Sequence, residues 1–164
     1  VEGLSIAFGG VRAVQDVSLD AKAGRVIGVI GPNGAGKTSV LNLLCGFYRP
    51  QAGKAALGGA YVTRLPSHKL ARLGIARTFQ TTQLFGSLTA IENVMLAARG
   101  GSLGVVVAPL RRAGGRDAEA AARTLLEFVG VGTAADRLAS ALPHGEKRLV
   151  EIARALALRP KVLL

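Results

Sequence analysis

The run GPNGAGKT, Gly31 to Thr38, is a loop almost without side-chain bulk that ends on an ammonium and a hydroxyl. Gly34 and Gly36 open backbone conformations closed to residues with a Cβ, and let main-chain amides approach an anion closely. Successive N–H groups, through Asn33, Gly34, Ala35 and Gly36, then make a concave nest of donors. Lys37 adds a mobile positive charge for β- and γ-phosphates, the Thr38 hydroxyl can complete the shell of a Mg²⁺ ion, and Ser39 can donate to an α-phosphate. Residues of these types at this spacing suit the capture of a triphosphate.

Such a loop works only if rigid elements hold both of its ends. The short apolar run Val26 to Ile30 reads as a buried strand, and Lys37 to Phe47 as a helix with Val40, Leu41, Leu43 and Leu44 available for burial, stopped by the Arg49-Pro50 step. The positive end of that helix would reinforce the nest. The loop satisfies the pattern G-x-x-x-x-G-K-[ST] between a strand and a helix, the context of a P-loop. On average composition that pattern arises at roughly one position in 10⁴, too rarely to set aside as a glycine turn.

Elsewhere the periodicities alternate between strand and helix. LSIAF and VQDVSLD, separated by GGVRA, suggest two strands and a glycine turn. GKAALGGAYV adds a strand region, and Ser67 to Leu73 a short helix with Ser67 at its N-cap. Thr89 to Arg99 reads as a helix, 100–115 as a mobile connection, and Arg116 to Val129 as a helix with Ala121, Leu125, Leu126 and Phe128 on its apolar side. A further helix from Gly145 to Leu158 places Leu149, Ile152, Ala153 and Leu156 toward a core, before KVLL starts a strand. Strands, then helices, then a strand again suggest an α/β core interrupted by a helical insertion.

The stretch LPHGEKRLVEIARALALRPKVLL, Leu142 to Leu164, resembles the signature region of an ATP-binding cassette (ABC) ATPase, in which L-S-G-G-Q opens a helix leading to the Walker B strand. The IARAL run is similar to that family's helix almost letter for letter. The resemblance implies a P-loop NTPase (RecA-like) α/β core, with an antiparallel β subdomain and a helical insertion. It divides the chain into a nucleotide-binding core at 1–79, a helical subdomain at 80–144 and a signature helix with the start of Walker B at 145–164. It further implies that Phe8 in IAFGG stacks on adenine, that Gln80 in RTFQ senses Mg²⁺ and the attacking water, and that His144 and Gly145 meet ATP bound to a second ATPase subunit. An aromatic on a strand also suits a core, and that reading of Phe8 stays open.

The segment GIARTFQTTQLFGSLTAIENVMLA resembles, more narrowly, the ATP-binding subunits of branched-chain amino acid importers. Pro143 stands where the family has its signature serine, so neither that hydroxyl nor a backbone N–H is offered there; proline is also a common helix starter. Leu84, Phe85 and Leu88 are either core or a groove for a coupling helix of the permease. Arg111, Arg112 and Arg116 either decorate a solvated loop or meet lipid headgroups.

The only methionine is Met95, and RPKVLL stops within an expected strand, so the chain reads as a fragment without the Walker B carboxylates and the switch histidine. ATP binding without efficient hydrolysis is therefore expected of these 164 residues. The single cysteine, Cys45, excludes an internal disulfide and reads as a core thiol. At 49% hydrophobic residues the chain is apolar, yet no run approaches the ~20 residues that span a bilayer.

A net charge of +11 suits nucleic acid, an anionic membrane or a polyphosphate, and does not choose among them. The expected function is the ATPase subunit of an importer at the cytoplasmic face of the cell membrane. Its expected partners are membrane permease subunits, a second ATPase subunit and, indirectly, a solute-binding protein. The alternative is a non-transport ABC ATPase acting on nucleic acid or ribosomes, against which stands the lack of a long coiled-coil insertion.

Overall fold

The computed structural model describes residues 1–78, 83–98 and 110–164, without the side chains of 110–116. The chain divides into two compact units, Val1–Leu73 and Gly74–Leu164.

In the first unit, β1 (Glu2–Phe8) and β2 (Val11–Val17) form an antiparallel hairpin across Gly9 and Gly10, whose φ angles of 51° and 87° suit a tight turn. β3 (Ala52–Lys54) pairs with the other edge of β1, and β4 (Ala56–Leu57) with β5 (Ala60–Tyr61) makes a second small hairpin. Alternation along the strands turns Leu4, Ile6 and Val14 inward, where they meet Val40 and Leu43 of α1 (Lys37–Leu44).

Helix α1 is shorter than the sequence suggests. It ends at Cys45, before the Arg49-Pro50 step, because Gly46 adopts φ 72° and closes a Schellman motif: Gly46 N–H donates to Leu43 O at 3.1 Å and Phe47 N–H to Asn42 O at 3.0 Å. Leu41 and Leu44 are only half-buried. In α2 (Ser67–Arg72) the N-cap is Pro66 rather than Ser67; the Pro66 carbonyl takes the first helical bonds, and Ser67 lies inside the first turn.

The expected strand at Val26–Ile30 does not form. A strand is defined by its ladder, and no described segment pairs with these residues. Uncovered on either face, the run is exposed, Val26 completely and Ile30 to 94%.

The second unit opens with β6 (Ile75–Ala76), which pairs in parallel with β7 (Val162–Leu163). Beyond the ladder, Thr78 N–H donates to Leu164 O at 2.9 Å. Between these strands lie α3 (Ala90–Ala98), α4 (Leu110–Phe128), two short 3₁₀ turns at Gly132–Ala134 and Ala139–Ala141, and α5 (His144–Ala157). Their shared core contains Ile91, Val94, Met95, Leu126, Leu142 and Val150.

Two core faces differ from expectation. On α4 the buried stripe runs through Ala122 and Leu126, with Ala118, Leu125 and Val129 packed beside it; Ala121 is exposed and Phe128 is 78% exposed. Spacings of three and four residues from Leu126 select that stripe and leave Phe128 outside it. On α5 the buried residues are Val150, Glu151, Ala153 and Ala155, while Leu149, Ile152 and Leu156 are half-buried.

Helix α4 also begins six residues before Arg116, so 110–115 belong to a helix and not to a connection. Leu110, Arg111, Arg112 and Ala113 are good helix formers and offset the cost of Gly114 and Gly115. The remainder of the expected connection, 100–109, lies outside the described residues.

Candidate functional site

Gln51 N–H donates to Ser5 O at 2.9 Å, and its side chain accepts from Ala7 N–H at 3.0 Å, which tethers the strand bearing Phe8 to the chain leaving α1. Phe8 lies at the end of β1, 43% exposed, with its ring 5.0 Å from that of Tyr48 in an edge-to-face arrangement at 65°. It is therefore not a core residue. Its half-open ring has an aromatic neighbour that fixes its orientation.

The loop itself is built on two left-handed glycines, Gly34 at φ 83° and Gly36 at φ 84°. Gly36 is also a steric requirement: a Cβ there would lie 2.2 Å from the Ala13 carbonyl oxygen of β2. This close approach seats the start of α1 on the hairpin.

Gly36 is the N-cap of α1 and supplies no side-chain cap, so the first N–H groups of the helix are left for an outside acceptor. Among the loop amides, Ala35 N–H donates weakly to Pro32 O at 3.3 Å. Lys37 turns back over the loop and donates from Nζ to Gly31 O at 2.7 Å and to Pro32 O at 2.6 Å. Those two carbonyls hold its ammonium beside the unspent amides. Asn33, Ala35 and Thr38 are exposed and Ser39 is half-buried.

This donor set fits a polyphosphate. It offers one fixed cation, several unpaired main-chain N–H groups at a helix N-terminus and a free hydroxyl, with nothing anionic in the loop to repel the ligand. A separate concavity of about 500 Å³, bordered by Gly53, Lys54, Tyr61 and Arg64, belongs to the same unit but is lined by no residue of a helix N-terminus.

In the second unit His144 and Gly145 open α5, both exposed. Pro143 is the N-cap, its carbonyl accepting from Lys147 N–H at 3.0 Å, so the proline does start this helix. Among the described residues a Cβ on Gly145 would meet nothing within 4 Å, so no contact with them requires glycine there. The preceding turn is braced by Arg137, which donates to Glu146 Oε2 at 3.1 Å and to Ala141 O at 3.3 Å, and by Lys147, which donates to Ser140 O at 3.1 Å.

Gln80 lies outside the described residues, as do the side chains of Arg111, Arg112 and Arg116. Leu84 packs against the helical core, whereas Phe85 is 48% exposed.

Two polar residues that sequence reasoning passed over organise the stretch after Gln80. Asn93, fully buried on α3, accepts from Phe85 N–H at 2.9 Å and donates to Phe85 O at 3.1 Å and Thr89 O at 2.9 Å. Glu151, 3% exposed on α5, accepts from Gln83 N–H at 2.6 Å and from Arg148 Nη1 at 3.2 Å. Near it, burial lowers the pKa of Arg154, and the Glu151 charge opposes that shift only in part.

A family profile described as ABC transporter matches residues 14–164. The high-affinity branched-chain amino acid transport ATP-binding protein BraF of Pseudomonas aeruginosa is 41% identical over 169 aligned positions, covering 100% of this chain and 66% of that protein. LivG of Escherichia coli, a protein of the same description, is 40% identical over the same shares. This chain thus spans 66% of the length of these two relatives, just under two thirds.

Among solved structures, the ATP-binding cassette MJ1267 of an ABC transporter superposes with a TM-score of 0.85 and 31% identity, over 99% of this chain and 65% of that one. A dimeric ATP-binding cassette in a post-hydrolysis state, bound to ADP and Pi, gives 0.79 and 25%, over 99% and 70%.

Proposed function

Because this chain belongs to the ABC transporter family of ATP-binding proteins, we propose that its glycine loop binds Mg-ATP and that the whole protein is the ATPase subunit of an importer for branched-chain amino acids or related small solutes. The observation that carries this reading is the conjunction at Gly31–Thr38: left-handed glycines, an uncapped helix start and an ammonium held at 2.6–2.7 Å by two loop carbonyls.

The nucleotide supplies, when bound, the phosphoanhydride that is hydrolysed. The amides of Asn33, Gly34, Ala35 and Gly36 orient its phosphates, and Lys37 neutralises the charge that grows on the leaving oxygens. Thr38 offers its hydroxyl to Mg²⁺, and Ser39 donates to the phosphate nearest the sugar. Phe8, steadied by Tyr48, presents a ring face to the base. Gln80 orients water and metal.

Residues 80–144 serve as the helical subdomain that meets permease subunits at the cytoplasmic face of the membrane. His144 and Gly145 face the nucleotide of a second ATPase subunit, the open space at Gly145 leaving room for its phosphates. A solute-binding protein would act at one remove, through the permease. In keeping with a peripheral subunit, no helix among the described residues is long and apolar enough to cross a membrane.

The test is titration with a fluorescent ATP analogue. Lys37→Ala is expected to weaken binding by about 10- to 100-fold, the worth of a charge-assisted contact, without lowering the melting temperature. Equal affinity of the wild type and the variant would overturn the assignment.

A further inference from the structure

Both main-chain groups of one residue are gripped by the helix that begins at the signature turn. Gln83 N–H donates to Glu151 Oε1 at 2.6 Å, and Gln83 O accepts from Arg154 Nη1 at 2.6 Å. Glu151 and Arg154 stand three apart on α5, so they share one face of it. The second carboxylate oxygen of Glu151 is taken by Arg148 at 3.2 Å.

Burying a carboxylate costs several kcal/mol unless it is paired and hydrogen-bonded, and the other buried residues of α5 are Val150, Ala153 and Ala155. Helix packing alone does not call for a glutamate here. What the pair achieves is a fixed distance and register between α5 and the chain at Gln83. Gln83 stands three residues after Gln80 in the sequence.

We propose that Glu151 and Arg154 are positioning residues for nucleotide hydrolysis, acting by holding the Gln83 backbone, three residues after Gln80 in the sequence, in register with the signature helix. This inference rests on the nucleotide-binding reading above.

The experiment uses the full-length protein, with Mg-ATP hydrolysis, analogue binding and amide hydrogen exchange at residues 83–89 measured side by side. Glu151→Ala is expected to lower kcat about tenfold, the worth of one backbone hydrogen bond, to speed exchange at Gln83, and to leave KM and analogue affinity within about twofold. Glu151→Gln keeps an acceptor for Gln83 N–H and is expected to restore most of kcat. Arg154→Lys shortens the reach to Gln83 O; it is expected to show a smaller loss of the same kind and carries the test alone should Glu151→Ala fail to fold.

Variants with wild-type kcat and exchange would overturn the proposal. So would a loss of kcat matched by an equal loss of analogue affinity and not rescued by glutamine, since that pattern marks a purely structural role. A wild-type protein that binds no analogue would overturn the nucleotide reading and this inference together. Normal binding with unaffected variants would overturn only the inference.

Discussion

Helices α1 and α3 begin in opposite ways. The N-terminus of α3 is closed on itself: Thr89 Oγ1 accepts from Glu92 N–H at 3.3 Å, and Glu92 Oε2 accepts from Thr89 N–H at 2.8 Å, a reciprocal capping box. The N-terminus of α1 starts at a left-handed glycine that contributes no side chain. One helix spends its orphan donors on its own sequence, and the other leaves them for something outside.

The same contrast separates the surroundings. Near α3 every polar atom of the buried Asn93 amide has a partner within the chain, whereas around α1 the loop Gly31–Ala35 is exposed. Saturated hydrogen bonding marks scaffold, and donors left unsatisfied beside a held cation mark a place where a ligand completes the structure.

Substitutions at these positions test the contrast, beginning with the loop. Gly36→Ala would force a Cβ against the Ala13 carbonyl and strain a positive φ; a loss of about 3 kcal/mol or more in chemical denaturation is expected, together with loss of ATP-analogue binding. An alanine variant that keeps both properties would show that the loop is not locked on the hairpin.

Asn93→Ala removes the partners of Phe85 N–H and Phe85 O. It should cost about 2–3 kcal/mol of unfolding free energy while leaving analogue affinity near wild type, because the affected bonds all lie in the helical unit. Equal damage to binding would erase the distinction between scaffold and site.

Thr89→Ala, the mildest change, should cost about 1 kcal/mol through loss of the cap, read as faster exchange in the first turn of α3. No effect at all would mean that the capping box does not stabilise the helix.

The two regions were not equally legible. The left-handed turns of GPNGAGKT could be read from the sequence because backbone freedom is written directly as glycine. The capping box was equally legible as T-A-I-E, though only its place at the start of a helix was inferred. Asn93 and Glu151 were hidden, since a polar residue on a helix reads as a solvated face until packing shows otherwise. The apolar faces of α4 and α5 were read only in part: Leu126 and Ala153 are buried as expected, whereas Ala121 and Phe128 are exposed and Ile152 and Leu156 half-buried, because alanine-rich helices offer several nearly equal stripes and only the neighbouring helices select one.

The run Val26–Ile30 shows the limit of composition. Its residues favour a strand, but a strand needs a partner chain to bond to, and the described residues provide none. The α/β character of the cassette fold, borne out by solved structures that match nearly all of this chain, was nonetheless evident from the order of its periodicities.

By itself the sequence determined the glycine turns of the loop, most of the strands and helices and the family, because these depend on residues close together along the chain. Tertiary structure alone decided which face of each helix is buried, that Lys37 rests on Gly31 and Pro32, and that Glu151 reaches across 68 residues of sequence to Gln83. Such contacts follow from the packing of distant segments, where the cost of burying charge is balanced only once the partner has arrived.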